Sequence, residues 1–349
     1  MGHGISTNKG KDVNRMKGRL LASAMMALAL AACGGGDSGS TPPPIGGGGP
    51  TPSPSPSPSP SPSPSPTPTY QTFSQLTGVQ NFATACGGNY NGPQRDRVGG
   101  GQLSEEVFRI VSDRSQPSYQ ISTSGNGQSP FFSTTFTQVD RDTTATGEAY
   151  RKTTASGFTE RFSIFPLTFG GQELPYVRVA SIVAESVPGF TLVNCAIGVP
   201  TVATDRPPAT VTYTGLASFG TADITRSTSS GLVTENYRIN SSILSLRANP
   251  ATGEVSFSVD LKGQLVSGGV VSPTVTDLGV FTGTVILDGT GPAFNGPLAN
   301  SSNVVWGAFG GGFFGPQGIT PAVSVRITEV RADQSELGLG ALFILRPQP

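Results

Sequence analysis

Histidine and methionine are nearly absent from this chain of 349 residues, which holds one His and four Met. All five lie among the first 26 residues: Met1, His3, Met16, Met25 and Met26. If that end is removed on export, as argued below, the remaining chain has neither residue type. A Ser-His-Asp triad, a His-ligated zinc and a His- or Met-ligated haem are then excluded. We therefore expect no cofactor, no metal site and no catalytic residues.

Charge is also scarce, since only 13% of the residues are charged and the formal net charge is zero. A nucleic-acid-binding protein would carry a basic surplus, so we expect no nucleic-acid partner. Beyond residue 32 the only lysines are Lys152 and Lys262, both in polar strand-like contexts that predict solvated side chains rather than nucleophiles. The 47 Gly and 30 Pro argue against a helical bundle, because neither residue is tolerated within helices.

The N-terminus has the pattern of an export signal. Lys17 and Arg19 precede an apolar run at residues 20–32, which ends in Leu30-Ala31-Ala32-Cys33. A basic start, a short apolar run and small residues before the cleavage point define a secretory signal, and the run is shorter than the ~20 residues of a membrane span. Small residues before Cys33 resemble the bacterial lipobox, which implies signal removal at 1–32 and a lipidated Cys33. Because Gly34 and not Asp follows, lipoprotein sorting rules imply the outer membrane.

Residues 33–69 read as a stalk of Gly, Ser, Thr and Pro. Nearly every second residue from 50 to 68 is Pro, which favours extended polyproline II at ~3.1 Å per residue, or on the order of 60 Å in all. The alternative is that this segment is a ligand for a proline-recognition domain, but the Ser-Pro alternation has no charged residues beside it. Removal of residues 1–32 leaves 17 Lys and Arg against 21 Asp and Glu, a net charge of −4. We expect a mildly acidic folded body held away from a membrane.

The folded body reads as two β regions, the first at residues 70–205. Its predicted strands are 105–112, 118–123, 131–139, 147–153, 159–169, 176–183 and 191–196. Cys86 and Cys195 are the only cysteines besides Cys33, and exported cysteines usually pair. A Cys86–Cys195 disulfide would close a loop of roughly 110 residues, worth ~4–5 kcal/mol in the chain-entropy model. It would join the two ends of this region and make it one domain.

The second region, residues 206–349, follows a Pro-containing linker at residues 205–208. Its strands alternate clearly: Val255, Phe257, Val259 and Leu261 share one face, and polar residues share the other. About eight short antiparallel strands with one apolar face predict a small up-and-down β-barrel. At that size the interior is filled by side chains or holds one small ligand, and the pattern leaves both open.

Motifs in this second region carry a family resemblance. They include the opening strand with Tyr213 and Gly215, the segment from Phe294 to Gly296, and a closing Gly/Phe-rich strand that ends in a Gly-Pro pair. The signature positions are Tyr213, Gly215, Phe294, Gly296, Gly307, Phe309, Phe313, Phe314, Gly315 and Pro316. The region resembles the C-terminal barrel of transferrin-binding protein B and related solute-binding surface lipoproteins. Beyond Pro316 the chain departs from the family's pattern, and it has one such pair of β regions where transferrin-binding protein B has two.

The resemblance implies an all-β fold with an N-terminal handle-like antiparallel domain followed by an eight-stranded barrel. It implies structural roles for the signature residues, although the glycine run and Trp306 could also contact a ligand. The leading hypothesis is a lipid-anchored outer-membrane protein, displayed at the cell surface or facing the periplasm. It would bind an unknown protein or small solute in nutrient acquisition of the iron or haem type.

Two further hypotheses remain beside this one. The alternative is a structural or adhesive envelope lipoprotein with a filled barrel and no small-molecule ligand. An enzyme is disfavoured because Glu105 and Glu106 point to opposite strand faces and the Asp140-Arg141-Asp142 segment lacks the further ligands of a calcium loop. The ligand-binding residues themselves stay unknown at this level.

Overall fold

The computed structural model describes residues 68–348 except 91–95, 102, 105–107, 124–132, 187–188 and 288–290. The predicted signal, Cys33, residues 33–67 of the stalk, and the Glu105–Glu106 pair lie outside the described residues. Within the described part the protein is all-β, with three short 3₁₀ turns and no α-helix, as the sequence predicts. None of the described helical segments is long and apolar enough to cross a membrane.

Ten strands form the first region. They are β1 (Val79–Phe82), β2 (Ala85–Tyr90), β3 (Asp96–Val98), β4 (Phe108–Asp113), β5 (Ser118–Thr123), β6 (Ser133–Phe136), β7 (Glu148–Thr153), β8 (Thr159–Phe169), β9 (Gln172–Ser186) and β10 (Gly189–Gly198). One antiparallel sheet has the order β1-β4-β5-β6 and the other the order β3-β2-β10-β9-β8-β7. Of the predicted strand at 105–112 the described part is strand from Phe108 onward, and the predicted strand at 131–139 ends at Phe136. β1 to β3 were not predicted because they are short, and β2 also contains two glycines.

The two sheets of the first region pack face to face through an aromatic core. Tyr119, Phe136, Tyr150 and Phe162 are all buried, and their ring centroids lie 4.9 to 6.2 Å apart. Each of these residues alternates with a polar or charged neighbour along its strand, which is why one face of each sheet is apolar. The opposite face of the six-stranded sheet does not take part in this core.

The predicted disulfide is confirmed. Cys86 on β2 stands directly opposite Cys195 on β10, with 4.0 Å between their Cα atoms. Because β2 and β10 are neighbours in the sheet, the bond joins the beginning and the end of the first region, as the sequence predicts. The two cysteines are separated by 109 positions in the sequence.

Nine strands form the second region. They are β11 (Val211–Thr228), β12 (Gly231–Ile239), β13 (Ile243–Asn249), β14 (Glu254–Ser267), β15 (Val270–Ile286), β16 (Ala293–Asn300), β17 (Val305–Phe314), β18 (Thr320–Val330) and β19 (Glu336–Pro347). β12 and β13 each pair antiparallel with both β11 and β14, one after the other along these strands. The two therefore count as a single strand of the barrel wall. The wall closes where β11 pairs with β19. The eight-stranded up-and-down barrel is thereby confirmed, with one position interrupted at Ser241, whose φ is positive.

The barrel has two distinct ends. At one end, here called the distal end, lie the β11–β12, β14–β15, β16–β17 and β18–β19 turns. At the other, here called the stalk end, the chain enters the barrel from the first region. There the hydroxyl of Tyr70 accepts a hydrogen bond from the Val202 amide at 2.9 Å, and its ring lies 6.0 Å from that of Tyr176. The residues that follow the predicted stalk are therefore fixed at the stalk end.

The first region packs sideways against the barrel wall. The free face of its six-stranded sheet contributes Ala85, Val179 and Ala196 to a shared apolar cluster with Leu342 and Ile344 of β19. Side chains of β19 are consequently buried on both faces, since its alternate residues fill the barrel. This double burial explains why β19 reads as an almost continuous apolar run in the sequence.

Candidate binding surface at the distal end of the barrel

The barrel interior is filled by side chains. A chain of rings runs through it: Tyr213 lies 5.9 Å from Phe313, Phe313 5.4 Å from Phe294, Phe294 6.1 Å from Phe309, and Phe309 5.5 Å from Phe257. All five are at most 6% exposed. A cavity of about 40 Å³ at the stalk end has room for little more than a water molecule. Of the two interiors that the sequence left open, the structure has the filled one.

Three of the signature glycines allow close packing around these rings. A Cβ on Gly215, which lies at a β-bulge, would come within 2.6 Å of the Leu244 side chain. A Cβ on Gly296 would lie 3.2 Å from the Phe309 ring, and one on Gly307 would lie 2.1 Å from the Arg326 carbonyl oxygen. At these positions a side chain would collide with a neighbouring strand or ring, so glycine allows the wall to pack closely.

Phe314, Gly315 and Pro316 lie at the stalk end, where the wall meets the first region. Phe314 is buried between the two regions, and Pro316 begins a 3₁₀ turn. Gly315 has a φ of 73° and lies under the Tyr176 ring, where a Cβ would come within 2.5 Å. The Thr201 hydroxyl donates a hydrogen bond to the Gly315 carbonyl at 2.7 Å. This segment thus fastens the incoming chain to the barrel.

The distal end carries a rim of exposed aliphatic side chains that the sequence reading missed. The rim, defined as residues on the four distal turns and the strand ends beside them, contains Leu232, Val233, Val270, Val271, Val304, Val305 and Val330. Leu232 is 74% exposed, Val270 72% and Val305 58%. The sequence signal was present as adjacent apolar pairs beside turns, because two consecutive strand residues cannot both point into the barrel. All seven residues lie at one end of the barrel, and exposed apolar side chains concentrated at one place are typical of interaction sites.

A groove of about 820 Å³ runs from the rim down the outer wall. Its lining includes Leu232 of the rim, the single Trp306, and Arg326. Arg326 faces Ala308 and Gly340 across the sheet, so its exposed side chain has only small neighbours. It forms no hydrogen bond or ion pair within the described part of the chain. Trp306 packs partly against the barrel core and also lines this groove. Its position is therefore compatible with both roles that the sequence left open, a packing residue and a ligand contact.

An ion pair and a hydrogen bond order the barrel wall near the groove. Glu235 on β12 accepts from Arg226 at 2.6 Å and from the Tyr237 hydroxyl at 3.0 Å. The hydrogen bond to Glu235 raises the pKa of Arg226, and burial, aided by Glu235, raises the pKa of Tyr237. Arg226 therefore stays charged and Tyr237 stays neutral at neutral pH.

The other charged candidates are engaged in structural contacts. Lys152 bonds the Thr135 carbonyl at 2.9 Å and lies 3.4 Å from Glu160, and Lys262 lies 2.8 Å from Asp260. Both lysines are about one quarter exposed, so they are ion-paired and less solvated than expected. Asp140 accepts from the Thr137 amide at 2.8 Å within a 3₁₀ turn. In the described part no three His, Cys, Asp or Glu side chains come together as a metal cluster would need.

Comparison with known proteins places this fold beside three groups of solved structures. Transferrin-binding protein B of Haemophilus parasuis matches with a TM-score of 0.34 and 12% identity, covering 73% of this chain and 60% of that one. The N-lobe of lactoferrin-binding protein B of Moraxella bovis matches with a TM-score of 0.29 and 12% identity, covering 78% and 100%. HpuA of Kingella denitrificans, solved in complex with human haemoglobin, matches with a TM-score of 0.26 and 12% identity, covering 81% and 95%.

The matched structures include transferrin-binding protein B, the protein whose barrel motifs this sequence resembles. This chain spans about three fifths of the Haemophilus parasuis structure that it matches. No family model matches the sequence. No curated protein matches it either.

Proposed function

We propose that this protein is a lipid-anchored surface protein that captures a protein ligand with the distal end of its barrel. The observation that carries the proposal is the aliphatic rim on the four distal turns, at the end opposite Tyr70, where the stalk would arrive. A rim of this composition costs solubility unless it is covered, and proteins cover such patches with partners. Anchoring through Cys33 and the stalk would direct this rim away from the membrane.

The filled interior favours a protein ligand over a small solute. A small solute bound inside an eight-stranded barrel needs an enclosed cavity, and typical ligand sites measure about 300–1,000 Å³. Rings of Phe257, Phe294 and Phe309 occupy that space instead. The function is therefore binding at the outer surface, and neither catalysis nor solute storage is part of the proposal.

The groove supplies the second component of such an interface. Trp and Arg are enriched among residues that dominate protein–protein binding energy, and they act best when neighbouring contacts exclude water. Trp306 and Arg326 line one groove, and Leu232 joins that groove to the rim. The ligand class proposed is a host protein that carries iron or haem, in keeping with the proteins named in the structural matches.

A binding panel tests this proposal. The mature protein, residues 33–349, is immobilised through its lipid anchor, and transferrin, lactoferrin, haemoglobin and serum albumin are passed over it. We expect one iron-carrying protein to bind and the V304S/V305S variant to lose on the order of tenfold or more in affinity, since buried apolar anchors dominate interfaces. The matched control is I286S at the stalk end, because Ile286 is 60% exposed there.

An envelope spacer remains the second candidate, because a filled barrel also suits a purely structural part. It predicts that no panel protein binds and that rim and control variants behave alike. Loss of binding with I286S but not with V304S/V305S would place the interface at the wrong end and contradict the proposal. Labelling of intact cells with a membrane-impermeant reagent separates surface display from a periplasm-facing anchor.

A further inference from the structure

The groove on the outer barrel wall has a glycine at the middle of its floor. Gly338 of β19 stands between Thr328 of β18 and Asp223 of β11, and all three residues line the groove. Leu337 and Leu339, the neighbours of Gly338 along the strand, are fully buried in the barrel core, so this row lies on the outer face. Because glycine has no side chain, the wall is lowest there and polar groups border it on both sides.

Trp306 lies at a bulge that borders the groove. Leu298 of β16 pairs with Gly307 of β17, whereas Ala299 pairs with Val305, so Trp306 has no partner on β16. A β-bulge changes the direction of a side chain, and bulges are over-represented beside functional sites. Trp306 is half-buried and lines the groove, so its indole supplies one aromatic surface to a ligand there.

Hydroxyl groups form the opposite border of the groove. The hydroxyl oxygen of Thr225 on β11 lies 3.1 Å from that of Thr234 on β12, and both residues line the groove. One hydroxyl of such a pair donates and the other accepts, so each keeps further capacity for a ligand. Thr328 adds a third hydroxyl beside the glycine floor. The groove therefore offers neutral groups that both donate and accept hydrogen bonds.

The charged groups of the groove have both signs. Arg326 and Glu336 are exposed and form no hydrogen bond or ion pair with the described residues. Asp223 is only 9% exposed and already has a partner. Arg326 can only donate and Glu336 can only accept, and two acidic groups would repel a polyanion. The lining thus suits an uncharged ligand that carries donors and acceptors together.

We propose that this groove binds a neutral oligosaccharide. A sugar hydroxyl donates and accepts as a threonine hydroxyl does, so one sugar can accept from Arg326 and donate to Glu336. The apolar face of a sugar ring packs against an aromatic ring, which Trp306 provides. A volume of about 820 Å³ lies within the range of about 300–1,000 Å³ of small-molecule sites.

The strands below the groove argue against a peptide as its occupant. An extended peptide binds a sheet by adding a strand to a free edge. β18 is paired with β17 and β19, and β19 with β18 and β11, so neither has a free edge beneath the groove. Recognition there depends on side chains, which are the groups that a sugar contacts.

The groove is continuous with the rim through Leu232, which belongs to both. A protein seated on the rim could therefore place an attached sugar chain in the groove. That the sugar belongs to the captured protein rests on the proposed function, whereas the sugar site itself does not.

The single tryptophan makes a direct test possible, because Trp306 is the only one in the chain and its fluorescence reports on this groove. The mature protein, residues 33–349, is titrated with neutral tetrasaccharides of glucose, galactose, mannose or N-acetylglucosamine. Concentrations reach about 10 mM, sufficient for a Kd of ~1 mM. We expect at least one tetrasaccharide to shift the emission saturably. Its affinity should not change with salt, since a neutral ligand brings no charge to be screened.

Two variants remove hydrogen-bonding groups from the groove. R326Q should weaken binding about tenfold and T234V about threefold, because a hydrogen bond to a charged group is worth more than one between neutral groups. The matched control is R247Q, since Arg247 on β13 is exposed and lies outside the groove. Thermal midpoints identify any variant that fails to fold, and R326Q should match the unaltered protein because Arg326 is exposed.

Three outcomes would overturn the proposal. They are absence of a saturable emission shift with all of the tetrasaccharides, equal weakening by R326Q and R247Q, and tighter binding of a tetra-alanine peptide than of any sugar. Since free sugars are tested without a protein ligand, the groove can fail while the rim succeeds, and the reverse.

Discussion

Gly340 of the barrel and Gly88 of the first region touch backbone to backbone. A Cβ on Gly340 would lie 1.9 Å from the Gly88 carbonyl oxygen, closer than any real contact allows. The first region rests on the barrel wall at this point, between β2 and β19. Two glycines therefore set how closely the two β regions approach.

Replacing Gly340 with Ala should destabilise the protein by roughly 1–3 kcal/mol or more, because the new methyl group forces the two regions apart. Urea unfolding followed by circular dichroism measures the change. Gly291→Ala is the control, since a Cβ there meets only one atom, at 4.0 Å. Equal unfolding midpoints for the two variants would show that the contact is not tight.

Removing the disulfide should cost about 2–5 kcal/mol, as expected for a native bond that closes a long loop. The test compares C86A/C195A with the unaltered protein in urea. Reduction of the unaltered protein with dithiothreitol should lower its midpoint to the same degree and leave the variant unchanged. A variant as stable as the oxidised protein would contradict the expectation that this bond constrains the unfolded chain.

Truncating an aromatic side chain inside the barrel should lower the stability of the protein far more than truncating one on its surface. Phe309 is fully buried between Phe257 and Phe294, so Phe309→Ala should lose about 3–5 kcal/mol of stability. Phe169 is 45% exposed and lies under Arg346 at 3.9 Å, so Phe169→Ala should lose about 1 kcal/mol or less. Similar losses would mean that the barrel interior is not closely packed.

Alkaline pH should weaken the barrel through Tyr213. Burial raises the pKa of this phenol to about 12, whereas the unfolded chain has its ordinary value of 10.0. The folded state therefore keeps its proton where the unfolded state loses it, and stability falls as pH rises from about 10 to about 12. Tyr213→Phe should remove the part of this stability loss that Tyr213 causes. The measurement is the difference in urea midpoint between pH 8 and pH 11, and each pH lies about one unit or more from the ordinary pKa of tyrosine. An unchanged pH slope in the variant would contradict the shift.

Alternation along the strands made the barrel predictable. In β14 the residues Val255, Phe257, Val259 and Leu261 share a face, and the structure places all four in the barrel core. The disulfide was predictable because an exported chain with two remaining cysteines tends to pair them. β1 and β3 were not predicted because they have only four and three residues. β2 was not predicted because two of its six residues are glycine, which has no side chain to show a burial pattern.

The binding surface could not be found in the same way. Val304 and Val305 are far from Leu232 and Val270 in sequence. The antiparallel order of the strands places their turns at one end, and the pairing of β11 with β19 closes those turns into a ring. Cross-strand neighbours are equally hidden, because nothing in the sequence shows that Arg151 and Arg161 stand directly opposite each other until the strand register is known. Both features depend on which strands are neighbours.

The sequence by itself determined the all-β class, the barrel, the Cys86–Cys195 bond and the absence of His and Met beyond residue 26, because these follow from local periodicity and composition. The tertiary structure alone decided that the interior is filled, since filling depends on how Phe257, Phe294 and Phe309 meet across the barrel. It also decided which end of the barrel carries the exposed rim. Contacts between residues distant in sequence set each of these, and local pattern does not encode them.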